Sequence, residues 1–194
     1  MSRQKYESLT TNAVGLGFWV YLMTDLMLFA TLFATYAVLR GNTAGGPAGQ
    51  DIFSLKLVFA ETMILLVSSL TAGLALLSAH AGRKTRMLQL LVITGVLGAL
   101  FLGLEINEFR VLLADGHSWQ NSAFLSSYFT LVGTHGLHIF AGLIWLIATV
   151  WYALKRPLSP RFMQRLTMFS LFWHFLDLVW VCIFSIVYLM GVLA

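Results

Sequence analysis

Five runs of apolar residues, at about 15–39, 56–79, 88–109, 124–153 and 166–191, constrain this chain more than any other feature. A bilayer core ~30 Å thick is crossed by roughly 20 residues of α-helix, and each run reaches that length. Hydrocarbon offers no water to backbone N–H and C=O groups, so such segments close their hydrogen bonds internally as helices. Composition points the same way. Of 194 residues, 59% are hydrophobic and the mean hydropathy is +0.83, against an apolar usage of ~45–50% in soluble domains. The fold class predicted is an all-α integral membrane protein, a five-transmembrane-helix bundle in which residues 1–194 form a single membrane domain.

The segments between the runs carry breaker chemistry. GNTAGGPAGQD (41–51) is Gly-rich and predicts a flexible loop around Pro47. AGRKTR (81–86) is short and basic, LADGHSWQNS (113–122) turns at Asp115-Gly116, and KRPLSPR (155–161) holds two of the three prolines. The first run is preceded by a short polar stretch. At about 25 residues and with an aspartate inside, it is too long and too polar for a signal-peptide core, and it reads as a span that stays.

Basic residues set the direction. Arg3, Lys5, Arg83, Lys84, Arg86, Lys155, Arg156, Arg161 and Arg165 all fall on one side if the spans alternate, and only Arg40, Lys56 and Arg110 fall on the other. The positive-inside rule then predicts a cytoplasmic N-terminus and a periplasmic C-terminus. The net charge of +4 and pI near 9.5 thus reflect membrane topology, and no nucleic-acid partner is expected. The single cysteine, Cys182, rules out a disulfide within the chain and reads as a small buried hydrophobe.

Away from the ends of the apolar runs lie six ionisable side chains: Asp25, Glu61, His135, His138, His174 and Asp177. An Asp, Lys or Arg at the centre of a span costs ~2.5–3.5 kcal/mol on insertion scales, so such groups face protein, water or a cofactor. Asp25 lies about ten residues into the first run, on a helical face with Tyr21, Leu22 and Phe29. It fits two readings, a proton-relay or carbodiimide-reactive carboxyl, and a protonated or hydrogen-bonded acid that fixes packing. Glu61, near the start of the second run, either snorkels to the interface or pairs across helices. Glu105 and Glu108, one turn apart beside Arg110, read as a solvated helix end.

His135 and His138 are three apart in VGTHGLHIFAGLIW and project from one helical face. Paired histidines of this kind suit a metal, a haem or quinol chemistry, yet Gly133, Gly136 and Gly142 beside them suit a tightly packed helix. The pairs Gly95-x-x-Gly98 and Gly133-x-x-Gly136 permit close helix approach. In WHFLDLVW (173–180), His174 and Asp177 are i,i+3 neighbours, and an imidazole–carboxylate contact within that helix would satisfy both. No Cys–His cluster, Gly-rich phosphate loop or Ser/His/Asp elbow occurs in the sequence.

FWVYLMTDLMLF, VGTHGLHIFAGLIW and WHFLDLVW, in that order and on the first, fourth and fifth runs, resemble subunit III of the haem–copper oxidase family. The resemblance runs through essentially the whole chain. Five spans rather than seven, LFATYAVL and the TAGGPAGQDIF loop are similar to the form of the subunit in bo-type ubiquinol oxidases. An aa-type quinol oxidase or a cytochrome c oxidase with a short subunit III is the alternative within the family. Outside it stand a redox subunit with histidine-ligated haem and a small proton-coupled transporter using Asp25 and Asp177.

The resemblance implies a subunit without catalytic, cofactor-binding or metal-binding residues, because the family's two haems and copper belong to subunit I. It implies that Asp25 occupies the family's carbodiimide-reactive position, usually Glu in the mitochondrial type. Glu61, His135, His138, His174 and Asp177 become helix-to-helix and intersubunit contacts. The implied partners are oxidase subunits I, II and IV and membrane lipids, including bound phospholipid, and the family's lipid-holding cleft, two helices short here, is completed by another subunit or by lipid. The implied location is the bacterial inner membrane. The implied role is to stabilise subunit I, protect it during turnover and assist its proton uptake, in a complex that oxidises ubiquinol, reduces oxygen to water and pumps protons.

Overall fold

The computed structural model describes the backbone of residues 2–43 and 55–193, with side chains over 13–43 and 55–192. The loop around Pro47 and most of the TAGGPAGQDIF segment lie outside the described residues. Five long helices follow one another: α1 (Ser2–Leu39), α2 (Leu55–His80), α3 (Lys84–Ala114), α4 (Ala123–Lys155) and α5 (Pro160–Ile183). A π-helical segment, Phe184–Leu189, and a last turn, α6 (Met190–Leu193), continue α5. All five are long and apolar enough to cross a membrane, the fifth from Pro160 to Val192.

The helices run past the apolar runs that announce them. α3 starts at Lys84 and ends at Ala114, where hydropathy marks only about 88–109. Hydropathy measures the hydrocarbon slab, whereas a helix continues into the polar interface until a cap stops it. The caps are local. The Ser122 hydroxyl accepts from Leu125 N–H at 3.1 Å, and that of Ser159 accepts from Phe162 N–H at 3.2 Å with Pro160 in the first turn. Gly82 at φ +71° closes the tight α2–α3 connection.

α2 and α3 form a hairpin, α3 packs on α4, and α5 lies against both α2 and α4, so these four helices enclose the core. α1 sits outside this group, against α4 and to a lesser extent α5. Large apolar side chains crowd the outer surface, Met27, Val38, Ile147 and Leu77 among them. That distribution suits a hydrocarbon solvent and makes the chain a multi-pass membrane protein.

Helix association in lipid relies on close packing and interhelical hydrogen bonds, and the core has both. Trp173 lies fully buried in a notch where a Cβ on Gly98 would stand 2.8 Å and one on Gly142 3.0 Å from its ring. Its indole N–H donates to Ser68 Oγ at 2.7 Å. Trp180 N–H donates to Thr62 Oγ1 at 3.1 Å, and the Thr71 and Thr94 hydroxyls join α2 to α3 at 2.8 Å.

Candidate functional site

Asp25 and His138 meet between α1 and α4. His138 Nε2 stands 3.7 Å from Asp25 Oδ2, too far for a hydrogen bond and close enough for an ion pair. His138 Nδ1 lies 2.7 Å from the Thr134 carbonyl. A carbonyl only accepts, so Nδ1 carries the hydrogen, and the lone pair of the neutral ring is on Nε2, facing the carboxyl. The two groups thus face each other at ion-pair distance without a hydrogen bond between them. Phe29, almost fully buried, packs its ring 5.2 Å from that of His138 and caps the pair.

His135, one turn earlier, is enclosed by rings. It stacks on Trp180 at 5.2 Å and meets the edges of Phe101 at 6.0 Å and Phe29 at 6.4 Å. It is fully buried with neither nitrogen hydrogen-bonded among the described residues. The two histidines share a helix face but not a ligand-binding space, and the rings around His135 leave no room for a macrocycle. Among the described residues no three His, Cys, Asp or Glu side chains converge as a metal site requires.

A second polar cluster lies deeper in the four-helix core, and here the structure corrects the sequence reading. Glu105 is only 2% exposed and Glu61 fully buried, so Glu105 is no solvated helix end and Glu61 does not snorkel. The four carboxyl oxygens of the two residues have no hydrogen-bond partner among the described residues. Glu105 presses on α4, where a Cβ on Gly136 would lie 2.8 Å from its Oε1. Glu108 is half-buried and accepts from the Tyr188 hydroxyl at 3.2 Å, and Tyr188 in turn meets the Tyr128 hydroxyl at 3.0 Å.

The physical reason is helical phase. Leu91, Thr94, Gly98, Phe101 and Glu105 form the buried stripe of α3, with spacings of three and four. Nine residues of helix follow Glu105, about 13 Å, so it lies well inside the element. Glu61 occupies the corresponding stripe of α2 with Val58, Leu65 and Ser68. It is the phase of the stripe, set by packing, rather than the end of the apolar run that places both inside. Nothing local in the sequence announces the π-helical segment that carries Tyr188.

On α5 the expected imidazole–carboxylate contact does not form. His174 Nδ1 donates to the Ser170 carbonyl at 2.6 Å, and the one ion pair among the described residues is that of His138 with Asp25. The i−4 carbonyl is nearer to hand for this ring than the carboxylate one turn on. His174 is exposed at the bundle surface, its Nε2 beside Gly73 of α2. Asp177 is half-buried facing Ser69 and His174, with Oδ1 unpartnered. Both thus stand at the α2–α5 surface rather than with the buried groups.

Three sets of groups therefore exist: the Asp25–His138 pair, the Glu61–Glu105–Glu108 cluster with its tyrosines, and the His174–Asp177 edge. Against this geometry the comparisons with known proteins are consistent. The family model described as cytochrome c oxidase subunit III matches residues 3–192. The chain is 58% identical over 177 residues to cytochrome bo(3) ubiquinol oxidase subunit 3 of Pseudomonas aeruginosa, covering 91% of this chain and 85% of that one. It is 42% identical to quinol oxidase subunit 3 of Bacillus subtilis, covering 96% and 92%. It is 46% identical to cytochrome c oxidase subunit 3 of Bacillus sp. (strain PS3), covering 91% and 85%.

Proposed function

The chain belongs to the cytochrome c oxidase subunit III family, and from that premise we propose that it is the non-redox accessory subunit of a proton-pumping terminal quinol oxidase. The complex oxidises ubiquinol and reduces oxygen to water. Its haems and copper sit in subunit I, and this chain holds that subunit in a stable, long-lived form and supports its proton uptake. Subunits I, II and IV are its protein partners and phospholipid its ligand, in the bacterial inner membrane with the N-terminus cytoplasmic.

The single observation that carries the reading is the 58% identity to a bo(3) subunit 3 across nine-tenths of the chain. The geometry supports the non-redox part. His135 is shut in by Trp180, Phe101 and Phe29, and His138 has committed Nδ1 to Thr134 and turned Nε2 to Asp25. Glu61 and His135 are helix contacts in the core, while His174 and Asp177 stand where another subunit would meet the bundle. Asp25 is the carboxyl that faces an imidazole at ion-pair distance.

Purifying the complex through a tag on this chain tests the proposal. Co-purifying haem and copper, ubiquinol oxidation and indifference to reduced cytochrome c are expected. Activity with cytochrome c and none with quinol assigns the chain to the cytochrome c oxidase form, which the 46% identity to the Bacillus sp. (strain PS3) protein favours as the second reading. A stoichiometric Soret band in the isolated chain, lost on changing His135 or His138 to Ala, overturns the non-redox role.

A further inference from the structure

Two cavities on the outer surface between α3 and α4 belong to one groove. One of about 410 Å3 runs along Gly95, Ala99, Leu143 and Ile147. The other, of about 600 Å3, reaches Thr85 and Gln89 at the start of α3. They share Val92, Val150 and Leu154. The walls are hydrocarbon throughout, except at the end that carries the α2–α3 and α4–α5 connections. The floor is low because α3 offers Gly95 and Ala99 there, and a Cβ on Gly95 would already stand 2.7 Å from Leu146.

That end is cationic. Lys155 Nζ rests 4.1 Å above the ring of Trp151, which itself lines the groove. Lys84, the first residue of α3, donates to the Arg156 carbonyl at 3.0 Å and so ties the two connections together at the mouth. Arg83, Arg86 and Arg156 are exposed in the same two segments. No Asp or Glu occurs between residues 79 and 92 or between 150 and 166. Lys84 and Lys155 thus stand at the mouth, and neither segment supplies them a carboxylate.

Length identifies the occupant. From Leu154 to Leu143 the groove follows eleven residues of helix, about 16 Å, which is close to one leaflet of a bilayer core ~30 Å thick. A soluble phosphate would satisfy the cations and leave the groove bare. A neutral lipid would fill the groove and leave the cations unmatched. The geometry points to a binding site for an anionic phospholipid of the phosphatidylglycerol type, an acyl chain along α3 and α4 and the phosphate at Lys84 and Lys155. Trp151 marks the level between chain and headgroup, as interfacial aromatics do. The inference rests only on the chain being a membrane bundle and stands whichever electron donor the complex uses.

The test uses the assembly in which the chain leaves the membrane, placed in phosphatidylcholine nanodiscs. Each sample carries a trace of phosphatidylglycerol or phosphatidylcholine with a photoreactive group in one acyl chain. Crosslinks to peptides spanning 91–99 and 143–154 are expected to be roughly tenfold more abundant with the anionic probe, in line with the attraction of each basic residue for anionic lipid. Lys84→Gln with Lys155→Gln is expected to bring the anionic probe down to the neutral one. Ala99→Trp, which fills the groove and leaves the charges, is expected to abolish labelling there with both probes and preserve it on α1. Equal labelling by the two probes, or indifference to the lysine changes, reduces the groove to ordinary annular lipid and overturns the proposal. Peptides protected in the assembly and labelled only after other subunits are stripped away overturn it in favour of a protein contact.

Discussion

His138 has one nitrogen already spent on Thr134, and this decides what a change at Asp25 does. In Asp25→Asn an amide of the same size takes the place of the carboxyl and faces the Nε2 lone pair, so the contact between α1 and α4 survives while the acid is lost. The expected outcome is a fully assembled complex whose turnover falls by less than about threefold, which is ~0.7 kcal/mol of barrier. Quinol-dependent oxygen uptake alongside the subunit ratio on a gel measures both. Normal assembly with complete loss of proton pumping would instead make Asp25 a direct pump residue. Glu105 answers to a different term. Its carboxyl oxygens have no hydrogen-bond partner among the described residues, so Glu105→Gln removes no bond and is expected to leave stability within ~1 kcal/mol. Gly136→Val thrusts a branched side chain at that carboxyl and is expected to destabilise by ~1–3 kcal/mol. The temperature at which the chain dissociates from its complex reads both, and the reverse ranking would mean that Glu105 is held by a bond rather than by space.

At the scale of the element, the five helices were legible because each hydrophobic run is long enough for a bilayer crossing, and the capping serines stand where polar segments give way to helix. What was not legible is which way a helix faces. A run that is apolar all round carries little directional signal, so α3 showed where hydrocarbon ended but not that Glu105 shares a stripe with Phe101 and Gly98. The same blindness affected α5. Spacing placed His174 and Asp177 within reach of each other, and only the packed structure shows the imidazole bonded back to Ser170. Trp173 and Trp180 turn into the core and anchor α5 to α2, leaving His174 on the outside. A helix that spends its indoles inward and shows an imidazole to the membrane has a second surface to satisfy. His174→Ala and Asp177→Ala are therefore expected to lower the amount of this chain that co-purifies with its partners, while the haem spectrum and the turnover per assembled complex hold. Normal stoichiometry with dead catalysis in either variant would refute a contact role for this edge.

For the whole molecule, the distribution of charge and the parity of the spans are independent statements about the same direction. Nine basic residues fall on the side of the N-terminus and of the 81–86 and 155–161 connections, and three on the other. Five helices long enough to cross would, if they alternate, put the two ends on opposite sides whichever way the bundle is inserted. The proposed orientation is the one that the charge bias favours, with the short loops rich in Lys and Arg on the cytoplasmic side. Two of the nine, Lys84 and Lys155, stand at the mouth of the α3–α4 groove, so topology and lipid site are linked. If the basic end is cytoplasmic, the groove opens to the leaflet whose surface potential is negative, and its anionic ligand is drawn from that side. Alkaline phosphatase fused after Leu193 is expected to be active in whole cells. Fused within the 81–86 or 155–161 connections it is expected to be silent, while a fluorescent protein at the same connections lights up. Reversal of that pattern would turn the bundle over and put the groove in the outer leaflet, leaving its packing and its lysines in place but exchanging the pool of lipid that it samples.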